Sequence, residues 1–162
     1  MEYFSPINHL TPMQIQDQPK AQAWIKGNQE YPKLYGLVSF METSTGGVIV
    51  SAEIHGLPAN ASGFYGMHIH EKGDCTPPFD QTGSHYNPSS TFHPRHAGDL
   101  LPLLSNQGSA WMCFFTDRFT IANILGKSLV IHDMRDDFTS QPAGDSGTKI
   151  GCGVIHASLA SR

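Results

Sequence analysis

An all-β domain is the fold class this sequence predicts, and three observations predict it. Sixteen glycines and eleven prolines punctuate a chain of 162 residues, a density of turn signals that suits many short strands. The apolar runs are brief, and the clearest of them alternate with polar residues at the period of a strand. No segment among them carries a helical period of useful length. The runs number eight, a count that a Greek-key sandwich or barrel accommodates.

In chain order, residues 1–19 carry three prolines and three glutamines and read as an extended N-terminal arm that Tyr3, Phe4 and Ile7 could anchor. The β domain is expected over 20–162. AQAWIKG supplies its first strand, with Ala21, Ala23 and Ile25 alternating against Gln22, Trp24 and Lys26. LYGLVSFME and GVIVSAEIHGL follow, joined by the turn signal STGG. GFYGMHIHE is the fourth strand. Residues 72–99 then form a loop rich in Gly, Pro, Ser and Asp, far longer than an ordinary connection, and such loops tend to carry function. DLLPLL re-enters the scaffold, followed by SAWMCFFTDRFTI and ILGKSLVIHD. A second long loop, DMRDDFTSQPAGDSGTKIG, precedes the closing strand CGVIHASLA. In WMCFF, Met112 and Phe114 alternate with Trp111, Cys113 and Phe115, so both faces are apolar. One belongs to the core; the other suits a subunit contact or cover from the arm. Cys113 reads as a buried free thiol.

One domain of this length buries about two-thirds of its unfolded surface. The net charge of −4 argues against a nucleic-acid partner, and the lack of an 18-residue apolar run argues against a transmembrane helix. The beginning of the chain lacks a basic start and a continuous apolar centre. The expectation is therefore a cytoplasmic protein as the sequence stands, or an exported one whose leader has been removed.

The chemistry concentrates between Gly66 and Asp99, which hold five of the nine histidines: His68, His70, His85, His93 and His96. His68 and His70 are two apart, so on a strand both rings leave the same face, roughly 7 Å from each other. His85, His93, His96 and Asp99 follow at intervals of eight, three and three. Imidazole is a preferred ligand of zinc and copper, and three nitrogens with one carboxylate suit tetrahedral zinc. A lone histidine is ordinarily a surface group or a hydrogen-bonded core residue. Five within 29 residues, beside a loop so polar that it cannot hold a fixed shape without a cross-link, point to metal. His132 lies apart, in LVIHD.

The ordered strings GMHIHEKGDC, GSHYNP, HAGDL, LVIHD and GCGVI resemble the copper/zinc superoxide dismutases over nearly the whole chain, from about Lys20 to Ala157. The likeness is to the bacterial-type branch, where the cysteine follows HEKG almost at once. The resemblance implies an immunoglobulin-like Greek-key barrel with two loops over one face. It implies copper held by His68, His70, His85 and His132, and zinc held by His85, His93, His96 and Asp99, with His85 shared as a bridging imidazolate. By the same resemblance Asp136 hydrogen-bonds one histidine of each metal, against the plainer reading of a solvated loop acid beside Arg135. Cys75 and Cys152 match the family's disulfide. Superoxide is the implied substrate, converted to oxygen and hydrogen peroxide by one-electron chemistry at copper, and a homodimer is the implied assembly.

The sequence departs from the family at two places. Lys149 stands three residues before the closing cysteine, where an arginine is usual, and Ala143 stands where animal enzymes place a threonine. Lysine keeps the charge without the planar fork that docks an anion, so the expectation is an active but slower enzyme with Lys149 and His85 as its working residues. Three other classes compete. A dismutase-like protein of structural or metal-buffering role typically lacks a copper histidine, and all four are present. A copper-transfer module would cluster Cys or Met ligands, and a nucleophilic hydrolase would need a Gly-x-Ser-x-Gly elbow that is absent.

Overall fold

The structure, a computed structural model, describes residues 18–158; the arm expected at 1–19 lies almost entirely outside them. Alternation writes the first three strands, β1 (Ala21–Gly27), β2 (Tyr35–Glu42) and β3 (Val48–His55). Their inward residues Ala21, Ala23, Ile25, Val38, Phe40, Val50, Ala52 and Ile54 are fully buried. The valines, isoleucines and phenylalanine among them each contribute about 1.5–3 kcal/mol on burial.

GFYGMHIHE, expected as one strand, is two: β4 (Phe64–Tyr65) and β5 (Met67–His70). The break falls at Gly66, whose backbone turns aside to exchange hydrogen bonds with Met134 O and the His132 amide. A Cβ there would sit 2.9 Å from Ser146 Cβ and 3.2 Å from His68 Cε1, so the glycine lets the second long loop close against β5. DLLPLL yields the short β6 (Leu103–Leu104), antiparallel to β4. β7 (Ser109–Thr116) stops before the end of its apolar run. A Thr120–Asn123 capping box then starts a single helical turn, α1 (Ile121–Ile124), because the reciprocal cap satisfies donors that a continuing edge would leave free. β8 (Ser128–His132) and β9 (Lys149–Ala157) complete nine strands among the described residues, one more than expected.

Seven strands form one antiparallel sheet in the order β5-β8-β9-β1-β2-β3-β7. Met67 and Ile69 from one edge and Ala110 from the other share a single core cluster. The sheet therefore curls over its own inner face as a half-barrel, with Phe40 and Phe119 meeting edge to face at 6.4 Å within it. No helix among the described residues is long and apolar enough to cross a membrane. Outside the barrel the two long loops, 71–102 and 133–148, stand over β5 and the junction of β8 with β9. β9 begins three residues earlier than the sequence reading placed it, so Lys149 is a strand residue paired with His132 across a register shift.

WMCFF resolves into one covered and one open face. Met112 and Phe114 pack on the core, whereas Trp111 is 71% and Phe115 43% exposed. Cys113 shares their side and is exposed, which corrects the expected buried thiol. Strand parity fixed its companions; the sequence did not show which face the barrel would close over.

A bridged pair of candidate metal sites

Strand geometry places the first ligands. Met67 and Ile69 of β5 point into the core, so His68 and His70 leave the other face together, beneath the loops. His132 ends the neighbouring β8. His85, His93, His96 and Asp99 all come from the first long loop. Every one of these seven side chains is buried.

They gather into two groups that share His85. His68, His70, His85 and His132 form one; His85, His93, His96 and Asp99 form the other, with the ligand atoms of each group within 4.8 Å of one another. Hydrogen bonds fix which nitrogen each ring offers. His70 Nδ1–H donates to Gly83 O at 2.8 Å and His132 Nδ1–H to Gly147 O at 3.4 Å. Their Nε2 lone pairs are left facing each other across 3.4 Å. Asp136 does the converse for two other rings. Its carboxylate accepts from His68 Nε2–H at 2.8 Å and from His93 Nε2–H at 2.9 Å, freeing both Nδ1 atoms.

Two of the atoms so freed are without partners, and two further ring nitrogens join them. His68 Nδ1, His85 Nε2, His93 Nδ1 and His96 Nδ1 are buried and accept or donate no hydrogen bond in the protein. Four orphaned imidazole nitrogens, converging beside a carboxylate, are costly unless a cation takes their lone pairs. The donor set fits copper on the first group, through nitrogens alone, and zinc on the second, through three nitrogens and Asp99.

The electrostatics agree. Burial holds the imidazoles of His68 (down to about 4), His70 (about 2) and His132 below their ordinary range, and neighbouring rings add to the effect at His70 and His132. These rings stay neutral, as ligands must. Burial works to raise the Asp99 carboxyl, but its hydrogen bond with His85 and the nearby His85, His93 and His96 outweigh it and lower it to about 2. Asp99 Oδ1 lies 2.8 Å from His85 Nδ1, while Oδ2 accepts the His96 amide at 2.9 Å and lies 3.1 Å from His93 Nδ1.

Asp136 thus touches one histidine of each group, as the resemblance implied. Gly144 makes room for it: with φ +69, it sits where a Cβ would overlap Asp136 Oδ1. Cys75 and Cys152 are joined, with Cα atoms 5.6 Å apart, tying the first loop to β9. His55 is remote from the metals, bonded to Glu53 and Ser109. His156 is an exposed β9 residue, and His9 lies outside the described residues.

Lys149 is half-buried, with Nζ 2.8 Å from Thr82 Oγ1, 3.3 Å from Gly83 O and 3.4 Å from Phe79 O. Burial lowers its ammonium below the usual lysine range, and Asp80 opposes the shift. It lines the same cleft, of about 770 Å³, as His70, His85, His132 and Ala143. The cleft also carries Glu71 and Asp145, and among the described residues Lys149 is its only lining Lys or Arg.

Three supporting residues escaped the sequence reading. Arg118 Nη1 donates to Pro94 O at 2.8 Å, Asp99 O at 3.2 Å and His96 O at 3.4 Å, clamping the loop that holds the zinc ligands. Gln141 grips His93 from the second loop, accepting its amide at 3.0 Å and donating to its carbonyl at 2.7 Å. Thr82 is the partner of Lys149. Side-chain bonds across long sequence separations leave no periodicity or spacing to read; a lone arginine after a strand was the only trace.

A curled antiparallel sheet carrying two buried four-ligand sites bridged by one histidine defines a class, that of two-metal β-barrel oxidoreductases. The match is more specific still. The family model for copper/zinc superoxide dismutase covers residues 34–155, and the chain belongs to that family. It is 35% identical over 148 residues to a copper–zinc superoxide dismutase of Deinococcus radiodurans, covering 77% of this chain and 79% of that protein. It is 34% identical over 137 residues to copper–zinc superoxide dismutase 5 of Dictyostelium discoideum, covering 74% and 88%. Among solved structures, it resembles the clock protein EA4 with a TM-score of 0.75 and 27% identity, covering 88% of this chain and 98% of that one. A doubly substituted SOD-like protein from Bacillus subtilis gives a TM-score of 0.75 at 28% identity, covering 83% and 96%. Bacterial and eukaryotic relatives match at similar identity. Both metal sites of this homologue are complete, the copper site in His68, His70, His85 and His132 and the zinc site in His85, His93, His96 and Asp99.

Proposed function

We propose that the protein dismutes superoxide, two anions and two protons giving oxygen and hydrogen peroxide, with Lys149 guiding the anion. The observation that carries this is the sharing of His85 by two complete ligand groups. Copper held by His68, His70, His85 and His132 would supply the one-electron redox chemistry, and zinc held by His85, His93, His96 and Asp99 would be redox-inactive. The chain's own residues do the rest. Lys149 presents the only lysine or arginine charge that lines the cleft among the described residues and draws the anion to its floor. His85 carries a proton at Nε2 and gives it to the departing peroxide, while its Nδ1 stays on the zinc side beside Asp99. Asp136 keeps the flanking rings aligned for this exchange.

The dismutation rate of copper- and zinc-loaded protein across a range of ionic strength tests the reading. A rate that falls as salt rises is expected for capture by one local cation. A rate that rises with salt means that the net charge of −4 dominates and removes Lys149 as guide. Lys149→Arg should be faster, because the planar guanidinium fixes its charge better.

We also assign the chain to the bacterial-type branch, on the position of Cys75 directly after HEKGD. We read the open face of β7 as the contact of a homodimer, on the exposure of Trp111 and Phe115. Sedimentation of Trp111→Glu as a monomer beside a dimeric parent would support the contact; a monomeric parent would remove it.

A further inference from the structure

Lys149 occupies the place where the family resemblance leads one to expect an arginine, and an ammonium on a four-carbon stem has little geometry of its own to fix its charge. Here another group fixes it. The shortest contact of Nζ is the 2.8 Å bond to Thr82 Oγ1; the carbonyls of Gly83 and Phe79 stand further off, at 3.3 and 3.4 Å. Thr82 closes a short 3-10 turn, Asp80–Thr82, and its exposure is 0%. A hydroxyl has one hydrogen to give, and that of Thr82 goes to Phe79 O at 2.8 Å. Its oxygen is thereby left as an acceptor, directed at Lys149, with His70 Nδ1 a longer 3.4 Å away. Thr82 does not line the cleft, whereas Lys149 and His70 do.

The competing pull is outward. Asp80 attracts the same ammonium and is solvent-exposed, so a lysine without its inner acceptor would swing toward that carboxylate and water. On these grounds we propose that Thr82 is a positioning residue: its buried hydroxyl holds the Lys149 charge over the copper side of the cleft. The inference rests on the reading of Lys149 as the anion guide.

Azide, a small anion that binds copper(II), is the probe. Its affinity for the copper(II)- and zinc-loaded protein is followed through the azide-to-copper absorption band, independently of turnover. Thr82→Val, which keeps the shape and loses the acceptor, should weaken azide binding about fivefold. Thr82→Ser should restore it, and the copper(II) spin-resonance spectrum of both should match the parent. In a Lys149→Gln background Thr82→Val should have no further effect. Unchanged azide affinity in Thr82→Val, with weakened affinity in Lys149→Gln, would overturn the role of Thr82 and leave the guide intact. Unchanged affinity in Lys149→Gln would overturn the guide itself. An equal loss with and without Lys149, or an altered copper spectrum, would show that Thr82 acts through His70 and would also overturn the proposal. Thr82→Ala gives the same readout should Thr82→Val fail to fold.

Discussion

The two metal sites are built from different materials. Three copper ligands, His68, His70 and His132, stand on strands of the barrel, and only His85 comes from a loop. All four zinc ligands belong to the loop after β5. Strands hold side chains through a cooperative hydrogen-bond ladder and a packed inner face, so the copper side is fixed by the same forces that stabilise the barrel. The zinc side is fixed by separate ties: the Cys75–Cys152 bond, the Arg118 clamp, the Gln141 grip and Asp136. Scaffold-borne ligands are as rigid as the fold, whereas loop-borne ligands are only as rigid as their individual tethers.

Acid should separate the two sides most strongly. In the metal-free protein His68, His70 and His132 remain neutral below the ordinary imidazole value of 6.5, with His68 down to about 4. The unfolded chain takes up protons there that the folded chain refuses, so stability present above pH 6.5 is lost as pH falls toward 4. Asp99, lowered to about 2 from 3.8, withdraws its contribution only below that window. Urea midpoints of metal-free protein should therefore decline from pH 6.5 to 4 before any Asp99 effect; a flat profile would contradict the burial of neutral copper-side rings.

Cutting the covalent tie comes next. Cys75→Ser opens a loop spanning a sequence separation of 77 and should cost about 4 kcal/mol of unfolding free energy, read by chemical denaturation of metal-loaded protein. Asp136→Ala should weaken both metals by about 10- to 100-fold, because it releases one ring on each side. A loss confined to one metal, by competitive chelation, would mean the shared carboxylate serves only that site. Arg118→Ala has the smallest expected effect, about a tenfold loss of zinc affinity, with copper affinity nearly unchanged. Equal losses of both metals would erase the distinction between scaffold and tether.

The same division marks what could be read from sequence. Ligands on strands were legible because parity puts His68 and His70 on one face, and those in the loop because their short intervals and residue types match a metal's demands. Alternation likewise gave β1, β2 and β3. The tethers were not legible: Arg118, Gln141 and Thr82 act on partners 67 residues away for Thr82 and Lys149 and 48 for Gln141 and His93, with no local pattern. Nor was the interruption at Gly66, which is imposed by a loop from 66 residues downstream (His132) to 80 (Ser146), where close approach excludes a Cβ. Cys113 shows a further limit, since a strand apolar on both sides does not reveal which side faces out.

The strand order has a consequence for how the protein is made. β1 is hydrogen-bonded to β9, Ala21 opposite Ala157, so the first and last strands are neighbours. β5 waits for β8, and Cys75 for Cys152. A chain emerging from the ribosome holds His68 long before Asp136, the carboxylate that orients it, exists, and cannot close its central sheet until β9 is out. Such non-local pairing places folding on a scale of milliseconds to seconds, once β9 has been made. Metal capture is then a late event, open to a chain in which β5, β8 and the two long loops have already met.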